Sequence, residues 1–148
     1  GTTTTVIDAD VAVTSGMYYT VMATGPVASI QPLVLTDNLT NPVAGNVKVR
    51  LVHGAPSAPN VDIYVTAPGA DISMTAPTLT DVPFRGYSDY LEVPAGSYQV
   101  RITPTGTKTV ALDTGTLAVT AGQIRTGVAL DATGGGTPFG AIVLADEN

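Results

Sequence analysis

The sequence predicts an all-β protein of the sandwich type. Three observations carry this. Short apolar stretches alternate with polar residues at a period of two, the mark of half-buried strands. Sixteen Gly and eleven Pro punctuate the chain at strand-length intervals, the pattern of short strands and frequent turns. Hydrophobic residues make up 44% but aromatics only 5%, with no Trp, so the core is expected to be aliphatic.

The stretch from Val47 to Val65 organises the rest. Val47, Val49 and Leu51, then Val61, Ile63 and Val65, alternate with Lys48, Arg50, Asp62 and Tyr64. Between the two strands stand Pro56 and Pro59. Proline has no N–H to donate and a fixed φ, so a ladder cannot run through. The chain must turn there, and a crossing to a second sheet is expected.

Taken in order, residues 1–38 read as three strands: Thr4 to Val13, Met17 to Ala23, and Ile30 to Leu35, with breaks at Thr14-Ser15-Gly16 and Thr24-Gly25-Pro26. Residues 39–46 read as a linker holding Pro42 and Gly45. After the central stretch, Ala67 to Ala76 reads as a loop and Tyr87 to Val93 as a strand. Pro94-Ala95-Gly96 is a tight turn, with Pro suited to its first central position and Gly to a positive φ. Strands follow over Tyr98–Ile102, Thr109–Val119, Ile124–Leu130 and Ala141–Leu144. The core of this part is expected to include Val49, Leu51, Ile63, Leu91, Val100, Ile102, Leu117 and Val128.

An internal repeat sets the domain organisation. Ile7-Asp8 matches Leu112-Asp113, and Val11-Ala-Val-Thr-Ser-Gly16 matches Leu117-Ala-Val-Thr-Ala-Gly122. Leu33-Val-Leu-Thr-Asp37 matches Ile142-Val-Leu-Ala-Asp146. Residues 1–38 are therefore a copy of about residues 106–147, whereas residues 47–105 have no earlier counterpart. The expected organisation is a C-terminal half-module (1–38), a linker (39–46) and one complete module (47–148).

Charge and composition exclude several classes of function. The net charge is −6 and the six cations are scattered, which argues against nucleic-acid binding, a function that needs a clustered basic face. The absence of cysteine excludes disulfides, thiol catalysis and Cys-ligated metal. No apolar run approaches the roughly 20 residues of a transmembrane helix. The chain opens at Gly1-Thr-Thr-Thr-Thr with no leader, so a targeting segment is expected to have been removed or to lie outside it.

Three motifs in order carry a family resemblance. They are Arg50-Leu-Val-His-Gly-Ala-Pro-Ser-Ala-Pro-Asn-Val-Asp-Ile-Tyr64, Leu79-Thr-Asp-Val-Pro-Phe84, and Ser88-Asp-Tyr-Leu-Glu-Val-Pro-Ala-Gly-Ser-Tyr-Gln-Val-Arg101. The chain resembles the domain-of-unknown-function family forty-three ninety-seven of bacterial and archaeal surface modules. Gly54 stands where that family commonly has Ala. The resemblance implies an immunoglobulin-like antiparallel sandwich, tandem arrangement and an extracellular or cell-surface location, and it implies no chemistry.

The candidate chemistry is thin. His53 is the only histidine. Without a second His or a Cys beside it, it is expected to pin the Pro56/Pro59 corner, together with Asp62, by bonding backbone groups that lack ladder partners. The Asp residues include no ordered D-x-D-x-D-G calcium loop, and Gly134-Gly-Gly136 lacks the Lys and helix of a phosphate loop. No catalytic residue, metal or cofactor is expected. Asn38-Leu-Thr40 is an N-x-T sequon, a candidate glycosylation site in a glycosylating host. The expected function is a non-enzymatic structural, assembly or adhesion module that self-associates through residues 1–38 into a homo-oligomer or fibre. The alternative is a carbohydrate-binding sandwich for a cell-surface glycan, for which Tyr18, Tyr19, Tyr64, Tyr87, Tyr90 and Tyr98 are the available aromatics.

Overall fold

The computed structural model describes residues 5–147. It contains ten strands and one 3-10 turn, Val27–Ser29. The strands are β1 (Tyr18–Thr24), β2 (Gln31–Asp37), β3 (Asn46–His53), β4 (Val61–Thr66), β5 (Leu79–Val82), β6 (Leu91–Pro94), β7 (Gly96–Pro104), β8 (Leu112–Val119), β9 (Ile124–Leu130) and β10 (Gly140–Glu147).

Two four-stranded sheets, ordered β10-β9-β3-β6 and β5-β4-β7-β8, form the sandwich, and β1-β2 is a separate antiparallel hairpin. The chain does cross sheets at the proline corner, because β3 lies in one sheet and β4 in the other. All pairings are antiparallel except β3 with β9, which run parallel. Leu51, Val61, Ile63, Ile102, Leu112 and Ala129 fill the space between the sheets, with Val49, Val100 and Leu91 packed against them. Val128 is buried as expected but on the other side of its sheet, where it packs with Val52, Leu33 and Leu35.

That second cluster shows where the hairpin sits. Leu33 and Leu35 of β2 lie over Val52 of β3 and Val128 of β9. β3 is consequently covered on both faces: Lys48, Arg50 and Val52 are as buried as Val47 and Leu51, which a strand in a two-layer sandwich would not be. The hairpin makes a third layer.

Residues 39–45 form no strand, and they are tied to the sandwich. Lys48 Nζ donates to Thr40 O at 2.6 Å and Val43 N donates to Glu92 Oε1 at 2.6 Å. Three expected elements differ. Thr4 lies outside the described residues, and residues 5–13 form no strand. Their repeat counterpart, β8, hydrogen-bonds to β7, and residues 5–13 have no such neighbour. The strand expected over Tyr87–Val93 ladders only from Leu91, with one isolated bridge between Tyr87 and Val52. β8 begins at Leu112 rather than Thr109.

The sequence repeat is reproduced in three dimensions. In the first hairpin Met22 faces Leu33, Thr20 faces Leu35 and Val21 faces Val34. In the second, Val128 faces Ile142, Thr126 faces Leu144 and Gly127 faces Val143. These are the same repeat positions in the same register. The connecting loop is three residues longer in the second copy, 131–139 against 25–30, and that loop contains Gly134, Gly135 and Gly136.

Candidate functional site: a buried arginine junction

The most elaborate polar arrangement lies between the hairpin and the sandwich, centred on Arg50. It occupies an outward position of β3, and its side chain is 2% exposed. Its Nη2 donates to Asp37 Oδ1 at 2.7 Å and to Thr20 Oγ1 at 3.3 Å. Its Nη1 donates to the Thr36 carbonyl at 3.2 Å. On the other side, Nε donates to Thr126 Oγ1 at 3.1 Å, Thr126 Oγ1 donates to Asp146 Oδ2 at 2.6 Å, and Asp146 lies 3.9 Å from Nη2. Tyr90 closes the group. Its ring stacks 4.7 Å from the guanidinium carbon, and its hydroxyl donates to Asp146 Oδ2 at 2.7 Å.

The two sides of this site are repeat equivalents. Thr20 and Asp37 of the first copy correspond to Thr126 and Asp146 of the second, so each copy presents a Thr–Asp pair to one guanidinium. Thr20 Oγ1 donates to Asp37 as Thr126 Oγ1 donates to Asp146. One delocalised cation with five donors suits two carboxylates better than a lysine would. Tyr90 titrates far above the ordinary tyrosine range, first because burial opposes the phenolate and then because the hydroxyl is bonded to Asp146. It is a fixed donor.

Every group in this arrangement faces another protein group. The geometry holds the two Thr–Asp pairs in register around one guanidinium. A second contact does the same work at the other end of the hairpin: Arg85 Nη2 donates to the Pro32 carbonyl at 2.7 Å, and its Nη1 bonds Gln31.

The residues singled out from sequence lie elsewhere. His53 is 1% exposed, and its Nε2 lies 3.1 Å from the Pro59 carbonyl. A carbonyl only accepts, so Nε2 carries the proton. Nδ1 then accepts from Ala55 N at 3.4 Å, which fixes the neutral tautomer. Its pKa is lowered, burial being the largest cause, against the opposing pull of the Pro59 bond and the Asp131 charge. Pro56 and Pro59 are exposed at the corner. Asp62 is buried on β4 and acts away from that corner: Oδ1 accepts from Asp81 N and Oδ2 from Gly106 N, each at 2.9 Å. Asn38 is exposed, and its Oδ1 accepts from Thr40 N at 3.1 Å and Thr40 Oγ1 at 2.7 Å.

The tyrosines are dispersed. Tyr64 is buried beneath the Lys108 ammonium, which lies 4.6 Å from the ring centre, and Tyr98 bonds the Pro94 carbonyl. Tyr18 and Tyr87 are exposed on separate elements. Among the described residues, no three His, Asp or Glu side chains gather as a metal site would require, and no helix is long and apolar enough to cross a membrane.

Comparison with known families finds one family twice in the chain. The model of the family described as "Domain of unknown function (DUF4397)" matches residues 1–64 and again residues 65–148. The chain belongs to this family. The border between the two DUF4397 matches falls within β4, between Tyr64 and Val65, so the matched spans do not coincide with the hairpin and the sandwich. No curated protein matches the chain.

Sequence reasoning did not pick out the arginine junction. Arg50 looked like an ordinary outward residue of an alternating strand. The usable signal was the repeat, which aligns Asp37 with Asp146 and, three residues into each first hairpin strand, Thr20 with Thr126.

Proposed function

We propose that the chain is a non-enzymatic structural module of extracellular or cell-surface proteins, built for assembly, with strand pairing between chains as the route to a fibre. The observation that carries this reading is the Arg50 junction, where equivalent Thr–Asp pairs from two repeats hold one buried cation. Buried ion pairs add little net stability, and their best-attested use is to specify register. A register device between repeats is what a stacking module needs. The extracellular setting rests on the family resemblance. The edge strands of the two four-stranded sheets, β5, β6, β8 and β10, supply places where another chain can add. A glycan-binding role has less to draw on, because Tyr18 and Tyr87 do not form a shared platform.

The test is sedimentation velocity of residues 1–148 over a wide concentration range, with electron microscopy of the concentrated sample. Concentration-dependent oligomers or filaments support the reading. A monomer under every condition overturns assembly as the function.

A further inference from the structure

Between the two sheets, on the side where β8 and β10 are the outermost strands, lies an apolar cleft of about 320 Å³. Small residues leave this space: Gly127 and Ala129 on β9 and Ala141 on β10 all line it. The strands flanking its mouth both have a free edge, and β10 leaves Val143, another lining residue, 55% exposed. An apolar cleft between two unpaired edges is the setting in which an extended segment adds as a strand, with backbone bonds to an edge and alternate side chains filling the gap.

The chain holds a segment of matching character. Residues 7–13 alternate Ile7, Ala9, Val11, Val13 with Asp8, Asp10, Ala12. They are the repeat counterpart of β8, whose Leu112, Thr114, Leu117 and Val119 already line one wall of this cleft. In β8 the alternation is interrupted by Gly115 at φ +64°, and in residues 7–13 it is unbroken. Yet the segment makes no ladder in its own chain, and Val13 stands 69% exposed.

We propose that residues 7–13 of one copy insert as a strand into the β8/β10 cleft of a second copy. The inference rests on the assembly reading and names its contact. Each copy then carries one donor segment and one acceptor cleft. Such a heterologous contact propagates as an open filament unless rotation closes it into a ring.

The chain has no cysteine, so the contact can be trapped by disulfide. Full-length protein carrying Ala9→Cys with Ala141→Cys is oxidised and run without reductant, beside unmodified protein in sedimentation. A ladder of linked dimers and higher species is expected. It should weaken sharply when the first cysteine is moved to Ala12→Cys on the opposite face, and vanish when Val11→Asp and Val13→Asp are added. Val13 is exposed and Val11 half-buried, so circular dichroism verifies that the double variant is folded, and Val13→Asp alone is run beside it. A linked monomer instead of a ladder means that the segment closes its own cleft, which overturns the proposal. A ladder that survives Val11→Asp/Val13→Asp also overturns it. If the unmodified chain assembles but no ladder forms, the cleft is the wrong contact while the assembly reading stands. If the unmodified chain stays monomeric and no ladder forms, both fall.

Discussion

Arg50 and Asp37 meet at 2.7 Å, and Asp146, the repeat counterpart of Asp37, lies 3.9 Å from the same guanidinium. This makes Arg50 the counter-ion of both copies. Arg50→Met would keep much of the aliphatic stem and remove the charge, leaving two buried carboxylates uncompensated. Removing one partner of a buried pair costs about 3–5 kcal/mol. Urea unfolding of Arg50→Met, Asp37→Asn and the double variant should show the double variant less destabilised than the sum of the singles. Additive costs would mean that the pair is not energetically coupled.

His53 predicts a pH dependence. Its folded pKa lies below 6.5, chiefly through burial, so the folded state prefers the neutral ring. Below about pH 6.5 the unfolded chain takes up a proton that the folded chain resists, and unfolding gains. Stability from this group is complete above 6.5, falls as pH drops from there towards the lowered folded value, and is flat beneath it. Asp71 and Asp113 are held below 3.8, by bonds from Ser73 and Gln99 respectively, so they titrate in a separate, more acid window. His53→Ala should cost about 1–3 kcal/mol at neutral pH, by leaving the Pro59 carbonyl and Ala55 N–H without their partner. It should also flatten the pH dependence of the unfolding midpoint just below about pH 6.5. An unchanged slope in the variant would assign the dependence to other groups.

Gly54 predicts a steric penalty where the resemblance would suggest tolerance. A Cβ there would lie 2.9 Å from the Ala129 carbonyl oxygen and 2.9 Å from Val128 Cγ1. The first of these is backbone, and it accepts the Gly54 N–H at 2.8 Å, so β9 itself must move. Gly54→Ala should destabilise by about 1–3 kcal/mol, as overpacking does. Thermal unfolding checks this, and a stabilised variant would show that the strand end shifts freely.

The period-two signal made β3, β4, β7 and β9 legible because each has one face in the space between the sheets. It is silent about a third layer. Lys48 and Arg50 are polar at outward positions, as a solvent-facing strand would have them, yet both are buried, Lys48 against Thr40 in the linker and Arg50 against the docked hairpin. The same limit applies to residues 7–13, which carry a strand's alternation while strand formation depends on a neighbour. His53 was readable because it precedes two prolines that leave backbone groups without a ladder. The Arg50 site was not, since its parts are spread over β1, β2, β3, β9 and β10 and only the repeat links them.

The hairpin also predicts a separable unfolding step. A two-stranded sheet is marginal alone in water, so β1 and β2 owe their order to what they dock on: Leu33 and Leu35 on Val52 and Val128, with Arg50 and Arg85 fastening the ends. Leu35 is fully buried, and truncating such a leucine costs about 2–5 kcal/mol when the fold cannot relax around the gap. Here the hairpin can let go. Once the loss exceeds its docking free energy, β1 and β2 open together while the inter-sheet core of Leu51, Ile63 and Ile102 stays closed. Native-state hydrogen exchange of Leu35→Ala should therefore show faster exchange confined to β1, β2 and their contacts, with the amides pairing β4 to β7 protected as in the parent. Acceleration spread evenly over both sheets would show instead that hairpin and sandwich unfold as one cooperative unit.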